Sequence, residues 1–151
     1  MKRIDIKLSL PIVAPLLDLL KEEAEVLRGT LASPVQVADL DSEMREIWQE
    51  GLLLDQAIEV DALLRIFDEE FFATGTVRID QAHADVIIRA SAALRLQLRK
   101  VRLKLISDET LENGQVDPDV MTENQRKGFF CYVFLATLQE LVIQHLEGSM
   151  P

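Results

Sequence analysis

The sequence predicts a mostly α, single-domain bundle of four to five helices with a small two-stranded β ribbon. Three observations lead there. Only six Gly and five Pro punctuate 151 residues, too few for the many turns of an all-β fold. Several long stretches repeat apolar residues at helical spacing, while residues 3–10 and 76–79 have strand character. Hydrophobic residues make up 48% and charged residues 28%, the balance of a globular chain long enough for one core. Residues 1–151 are therefore taken as a single helical domain.

RIDIKLSL, residues 3–10, alternates strictly: Ile4, Ile6, Leu8 and Leu10 point one way, Arg3, Asp5, Lys7 and Ser9 the other. Pro11 and Pro15 close the strand and suit the start of a helix. Leu17, Leu20, Ala24, Leu27 and Leu31 follow helical spacing until Gly29 and ASPVQVAD (32–39) end the element. Asp41 or Ser42 caps the second element. It carries two stripes that do not run into each other. Met44, Ile47, Trp48, Leu54 and Ile58 form one; Val60, Leu63, Leu64, Phe67 and Phe71 form the other. A bend near Ala57–Val60, or two abutting helices, is expected, with a stop at Thr74-Gly75. TVRI (76–79) is β-branched and pairs with the N-terminal strand, lying on the helices because a lone ribbon is marginal.

Asp80 caps a third helix predicted to run to about Ile106. A polar loop with turns at Asn113-Gly114 and Asp117-Pro118 follows. Thr122 and Gln125 form a capping box for a last helix, which runs to Glu147 and stops at Gly148. Its segment GFFCYVFLATL is apolar nearly all round, as expected of a central core helix.

The third helix holds the run RASAALRLQLRKVRLKL (89–105), with six basic residues and no acid in a chain of net charge −10. On a helical wheel Ile87, Ala90, Leu94, Leu98, Val101 and Leu105 make the core stripe. Arg95, Arg99 and Arg102 flank it on one side; Arg89, Lys100 and Lys104 on the other. Ile88, Ala92, Leu96 and Leu103 fall opposite, where a surface helix would carry charge. The helix is thus contacted on two sides, either in the middle of the fold or against another chain. Ile88, Leu96, Leu103, Arg95, Arg99 and Arg102 form the candidate interface. Residues 39–70 hold eleven acids and two arginines, so complementarity with this basic run, within the chain or across a homodimer, accounts for the charge.

The charge speaks against nucleic acid: the pI is about 4.6, and no aromatic residue is interleaved with the basic run. No stretch approaches 18 uncharged apolar residues, so no membrane span is expected, and the basic helix lacks the single broad apolar face of a membrane-surface helix. The apolar N-terminus after Lys2 and Arg3 is broken by Asp5, Lys7, Asp18 and two prolines, unlike a signal peptide. One cysteine, Cys131, allows no internal disulfide and suits a cytoplasmic location; its apolar surroundings predict a buried, inert thiol.

No phosphate loop, zinc-protease or nucleophile-elbow motif is present, and neither catalytic residues nor a cofactor or metal set can be named. Asp80 and His83 have Asp-x-x-His spacing, but the second such pair of a di-iron bundle is missing, so Asp80 reads as a cap. His145 reads as a cation near a helix C-terminus. Asp68-Glu69-Glu70 reads as solvated surface, and Trp48 and Phe71-Phe72 as core or, second, as anchors for a partner.

VRID (77–80), LRLQLRKVRL (94–103) and the YxxLxxLQE pattern of Tyr132, Leu135, Leu138, Gln139 and Glu140 together resemble a family of small helical bacterial proteins known only as a domain of unknown function. The likeness covers residues 76–146 and, more loosely, the acidic element before them; Lys100 and Lys104 depart from it. Members are often encoded beside the adaptor of the Clp protease. The resemblance implies no activity, but it does imply a link to regulated proteolysis. The function expected is a cytoplasmic, non-enzymatic interaction protein, an adaptor or regulator working as a homodimer. The alternative is an enzyme or a ligand- or metal-binding domain with an unrecognised carboxylate site, for instance near Asp80 and His83.

Overall fold

The computed structural model describes residues 2–33, 41–113 and 115–147. Four long helices enclose one core: α1 (Leu10–Val26), α2 (Ser42–Leu64), α4 (Ala84–Val101) and α6 (Glu123–Val142). Two short ones, α3 (Glu69–Thr74) and α5 (Asp108–Asn113), sit in the connections. Strands β1 (Arg3–Lys7) and β2 (Thr76–Asp80) form the predicted ribbon. Residues 34–39 of the predicted ASPVQVAD break, Gly114 of the predicted turn and the stop at Gly148 lie outside the described residues.

The ribbon is antiparallel, with Arg3 opposite Asp80 and Lys7 opposite Thr76. Val77 and Ile79 are buried, while Arg78 reaches out to Asp5 (3.6 Å) and Glu70 (2.8 Å). β1 is shorter than its alternation suggested. Ser9 already has the extended backbone of an N-cap, and Leu10 and Pro11 belong to the first turn of α1. Gly75 adopts φ 80° and donates to the Phe71 carbonyl at 2.7 Å, ending α3. Any Cβ there would stand 2.6 Å from the Leu8 carbonyl oxygen, so glycine also permits the close approach that starts the ribbon.

Asp41 caps α2, accepting from the Met44 amide at 2.8 Å. α2 is one continuous helix to Leu64, and the expected division falls after it, in the turn before α3. Val60, Leu63, Phe67 and Phe71 are buried, with Phe67 and Phe71 packed edge to face at 5.3 Å. The Gln56 side chain fixes the chain leaving α1: it donates to the carbonyls of Leu27 (2.7 Å) and Thr30 (2.9 Å) and accepts from the Ala32 amide (3.0 Å). That satisfies backbone groups which α1 leaves free at its end.

α4 is the central helix, packed on α2 and α6, with Ala84, Ile87, Ala90, Leu94 and Leu98 all buried. Asp80 does not cap it through its side chain; a short 3-10 turn, Gln81–His83, intervenes. The helix ends at Val101, earlier than predicted. The Leu98 carbonyl accepts from both Arg102 (2.9 Å) and Leu103 (3.1 Å), and this widened turn swings Leu103 inward. Leu103 is therefore fully buried, not on the outer face, while Val101 and Leu105, expected in the core stripe, are 48% and 82% exposed.

The capping box of α6 is formed as predicted, Thr122 and Gln125 exchanging bonds at 3.1 and 3.2 Å. Glu123–Leu146 is long and apolar enough to cross a membrane by length and composition, with a mean hydropathy of 1.4. One side of it forms core: Cys131, Leu135, Leu138, Val142 and Leu146 are buried. Phe130 and Val133 are exposed on the other side, so α6 is not enclosed all round.

Candidate interaction surface

The basic run of α4 finds its partners on several elements. Arg95 donates to Gln139 (2.7 Å) and to the Tyr132 hydroxyl (3.1 Å), with its guanidinium 4.6 Å from the Tyr132 ring centre. Gln139 in turn donates to the Ile88 carbonyl at 2.9 Å, and Ile88 packs half-buried on the core. Arg99 bonds the carbonyls of Leu103 (3.2 Å) and Ile106 (2.9 Å) and pairs with Asp108, closing the turn after α4. Lys100 donates to the Ala32 carbonyl. Only Arg89 pairs with the acidic α2, through Glu59, so the expected complementarity between α4 and α2 is confined to one contact among the described residues.

Arg102 is largely enclosed, with 14% of its side chain exposed. It contacts Glu22 (3.1 Å) and the buried Glu23 (3.4 Å) of α1, and Asn124 of α6. Its aliphatic stem crosses α6 at Gly128, where a Cβ would come within 2.8 Å of the Arg102 Cβ. Cys131 lies close by, its thiol donating toward the Leu16 carbonyl at 3.7 Å. Burial pushes this thiol up to about 12; the positive charge of Arg102 pulls the other way and Glu23 adds to the rise. It is inert at neutral pH, as its apolar neighbours in the sequence suggested.

Of the six candidate interface residues, Arg95, Arg99 and Arg102 are engaged within the chain, Ile88 is half-buried and Leu103 is internal. Leu96 alone stands well exposed, at 43%. It lines an open groove of about 370 Å³ between α2 and α4, with Ala92, Ala93, Leu31 and Leu52.

The larger open apolar surface lies on α2. Met44, Ile47, Trp48, Leu54 and Ile58 are between 41% and 62% exposed. With Gly51 they fall in one helical sector about 120° wide. This is the first of the two stripes seen in the sequence. Trp48 was expected in the core, as was Phe72; both are exposed, because nothing among the described residues covers residues 41–48, and Phe72, in edge contact with the buried Phe71 at 5.1 Å, keeps about half its side chain exposed. The signal was present in the mismatch between the stripes: a helix that changes apolar face midway cannot bury both on the same neighbours. Exposed Glu43 and Glu50, with Glu46 behind them, border the stripe on one edge; exposed Asp55 falls inside it, between Met44 and Trp48, and the other edge carries Glu59 and Arg45. None of Glu43, Glu46, Glu50 and Asp55 pairs with a cation among the described residues.

Asp80 and His83 sit 3.9 Å apart on the wall of a cleft of about 270 Å³ that also holds Arg65, Asp68 and Arg78. Among the described residues no three His, Cys, Asp or Glu side chains come together as a metal site would require.

Residues 18–146 match the family model described as a domain of unknown function, DUF2017, and the chain belongs to that family. No curated protein and no solved structure matches it.

Proposed function

We propose that this DUF2017 chain is a cytoplasmic, non-enzymatic interaction protein of the adaptor or regulator kind, working as a homodimer. The observation that supports this most is the apolar stripe left open along α2, continued toward the groove at Leu96. Scattered exposed leucines are ordinary, whereas a contiguous apolar surface rimmed by charge marks a contact site. Nucleic acid is not the partner in this reading, because the surface beside the stripe is acidic. A membrane is not either, because an acidic border is repelled by anionic headgroups. The resemblance to bacterial proteins encoded beside the Clp protease adaptor supports regulated proteolysis as the setting.

The homodimer is supported by Leu96. It stands beside Ala92 and Ala93, whose small side chains let a second helix approach closely. Sedimentation equilibrium at low and high salt, on the wild type and Leu96→Glu, tests it, with far-UV circular dichroism to confirm that the variant is folded. The expected result is a wild-type dimer and a folded monomeric variant. A monodisperse wild-type monomer at high concentration, unchanged by Leu96→Glu, would remove the dimer.

A further inference from the structure

We infer that the outward stripe of α2 is a docking site for a basic amphipathic helix supplied by another protein. The inference rests on the reading of this chain as an interaction protein and adds the chemistry of one partner. Three observations on the same face carry it.

The first is spacing. Met44, Ile47, Trp48, Gly51, Leu54 and Ile58 recur at the i, i+3, i+4, i+7 positions through which one helix packs along another. They extend over about 21 Å at about 1.5 Å per residue, the reach of a short helix. The second is Gly51. A glycine in mid-helix costs stability, about 1 kcal/mol against alanine. Beyond its own neighbours and helix backbone, no atom of the described residues lies within 4 Å of the Cβ that Gly51 lacks, so no internal contact among them asks for it. Its place in the middle of the open stripe fits close approach from outside. The third is charge. Glu43, Glu46 and Glu50 along one edge and Asp55 within the stripe are unpaired among the described residues, unlike Glu59 and Asp61 farther along the helix, which pair with Arg89 and Arg28. A partner helix with an apolar face, Lys or Arg along the margin that meets Glu43, Glu46 and Glu50, and one more cation within reach of Asp55 answers all four carboxylates. A second copy of α2 laid antiparallel brings acidic edge against acidic edge, which charge disfavours.

Trp48 is the single tryptophan of the chain and stands on the stripe, so its emission reports occupancy directly. The probes are two synthetic peptides of about 18 residues, long enough to span the stripe. Both carry leucine at helical spacing; one has lysine at every other position, the other glutamate. The intact protein is titrated with each. The expected result is a saturable blue shift of Trp48 with the lysine peptide, at least about tenfold tighter than with the glutamate peptide and weakened by salt. Glu43→Lys, Glu46→Lys and Glu50→Lys combined reverse the preference. Ile47→Ser keeps the charge, removes an anchor and weakens the lysine peptide. Unweakened binding by Ile47→Ser means the peptide is held by bulk charge, and the inference falls. Equal or better binding of the glutamate peptide refutes the basic partner while leaving the interaction surface standing. A blue shift produced by raising the protein concentration alone assigns the stripe to a second copy and overturns the inference. No shift with either peptide, or with concentration, removes the stripe as a contact site altogether.

Discussion

α4 and the N-terminal half of α2 are both amphipathic, both flanked by charge and adjacent in the fold, yet they end differently. α4 meets α2 on one side and α6 on another, and its cations are drawn into bonds on α1, α2, α5 and α6 and on the turn after its own end. The first turns of α2 are exposed, and its carboxylates there stand unpaired among the described residues. Periodicity finds a helical face but not what covers it. The fate of the neighbouring charges separates the two cases: where they are consumed internally the face is core, and where they are left over the face is open.

Three experiments sharpen or break this contrast. The largest difference is expected between two arginines. Arg102→Ala leaves Glu23 buried without its cation, and removing one partner of such a pair costs about 3–5 kcal/mol. Arg89→Ala loses an exposed pair worth about 0–1 kcal/mol. Urea denaturation of both variants decides; equal losses would mean that Arg102 is not the internal clamp described. Next come two leucines. Leu98→Ala opens a cavity under α4 and lowers stability by about 2–5 kcal/mol, whereas Leu54→Ala on the open stripe shifts it by no more than about 0.5 kcal/mol. A large loss at Leu54 would show that the stripe is covered in solution.

A third effect appears only at alkaline pH. Below about pH 9 the Cys131 thiol is protonated in folded and unfolded chains alike, and its contribution is fully present. Between about 9 and about 12 the unfolded chain gives up this proton and the folded chain keeps it. Stability then falls by up to about 1.4 kcal/mol per pH unit. Cys131→Ala removes that part of the alkaline slope. Identical slopes in the two proteins would place the thiol in contact with water.

What could be read from the sequence was local. The ribbon followed from alternation, the start of α2 from Asp41, and the start of α6 from the Thr122–Gln125 box, because each signal lies within a few residues of its effect. The end of α4 was not readable. LRKVRLKL contains no glycine or proline, and the helix stops where Arg102 is held by α1 and α6, contacts many residues away in the chain. One register change there moved Leu103 inward and Val101 and Leu105 outward. Of the candidate interface, Leu96 stands exposed, while the sequence could not show that Arg95, Arg99 and Arg102 were already occupied. The open stripe of α2 was visible as a pattern, and its direction was not.

The ribbon also orders events in time. β1 is made before its strand partner among the described residues, β2, and helices α1, α2 and α3 all lie in the loop between them. Closing that loop joins residues roughly seventy apart, a contact whose entropic cost must be met before it stabilises anything. On the ribosome, β2 follows β1 only after three helices have been synthesised. The clasp therefore closes late, and a nascent chain halted before Thr76 carries an unpaired strand edge for as long as it waits.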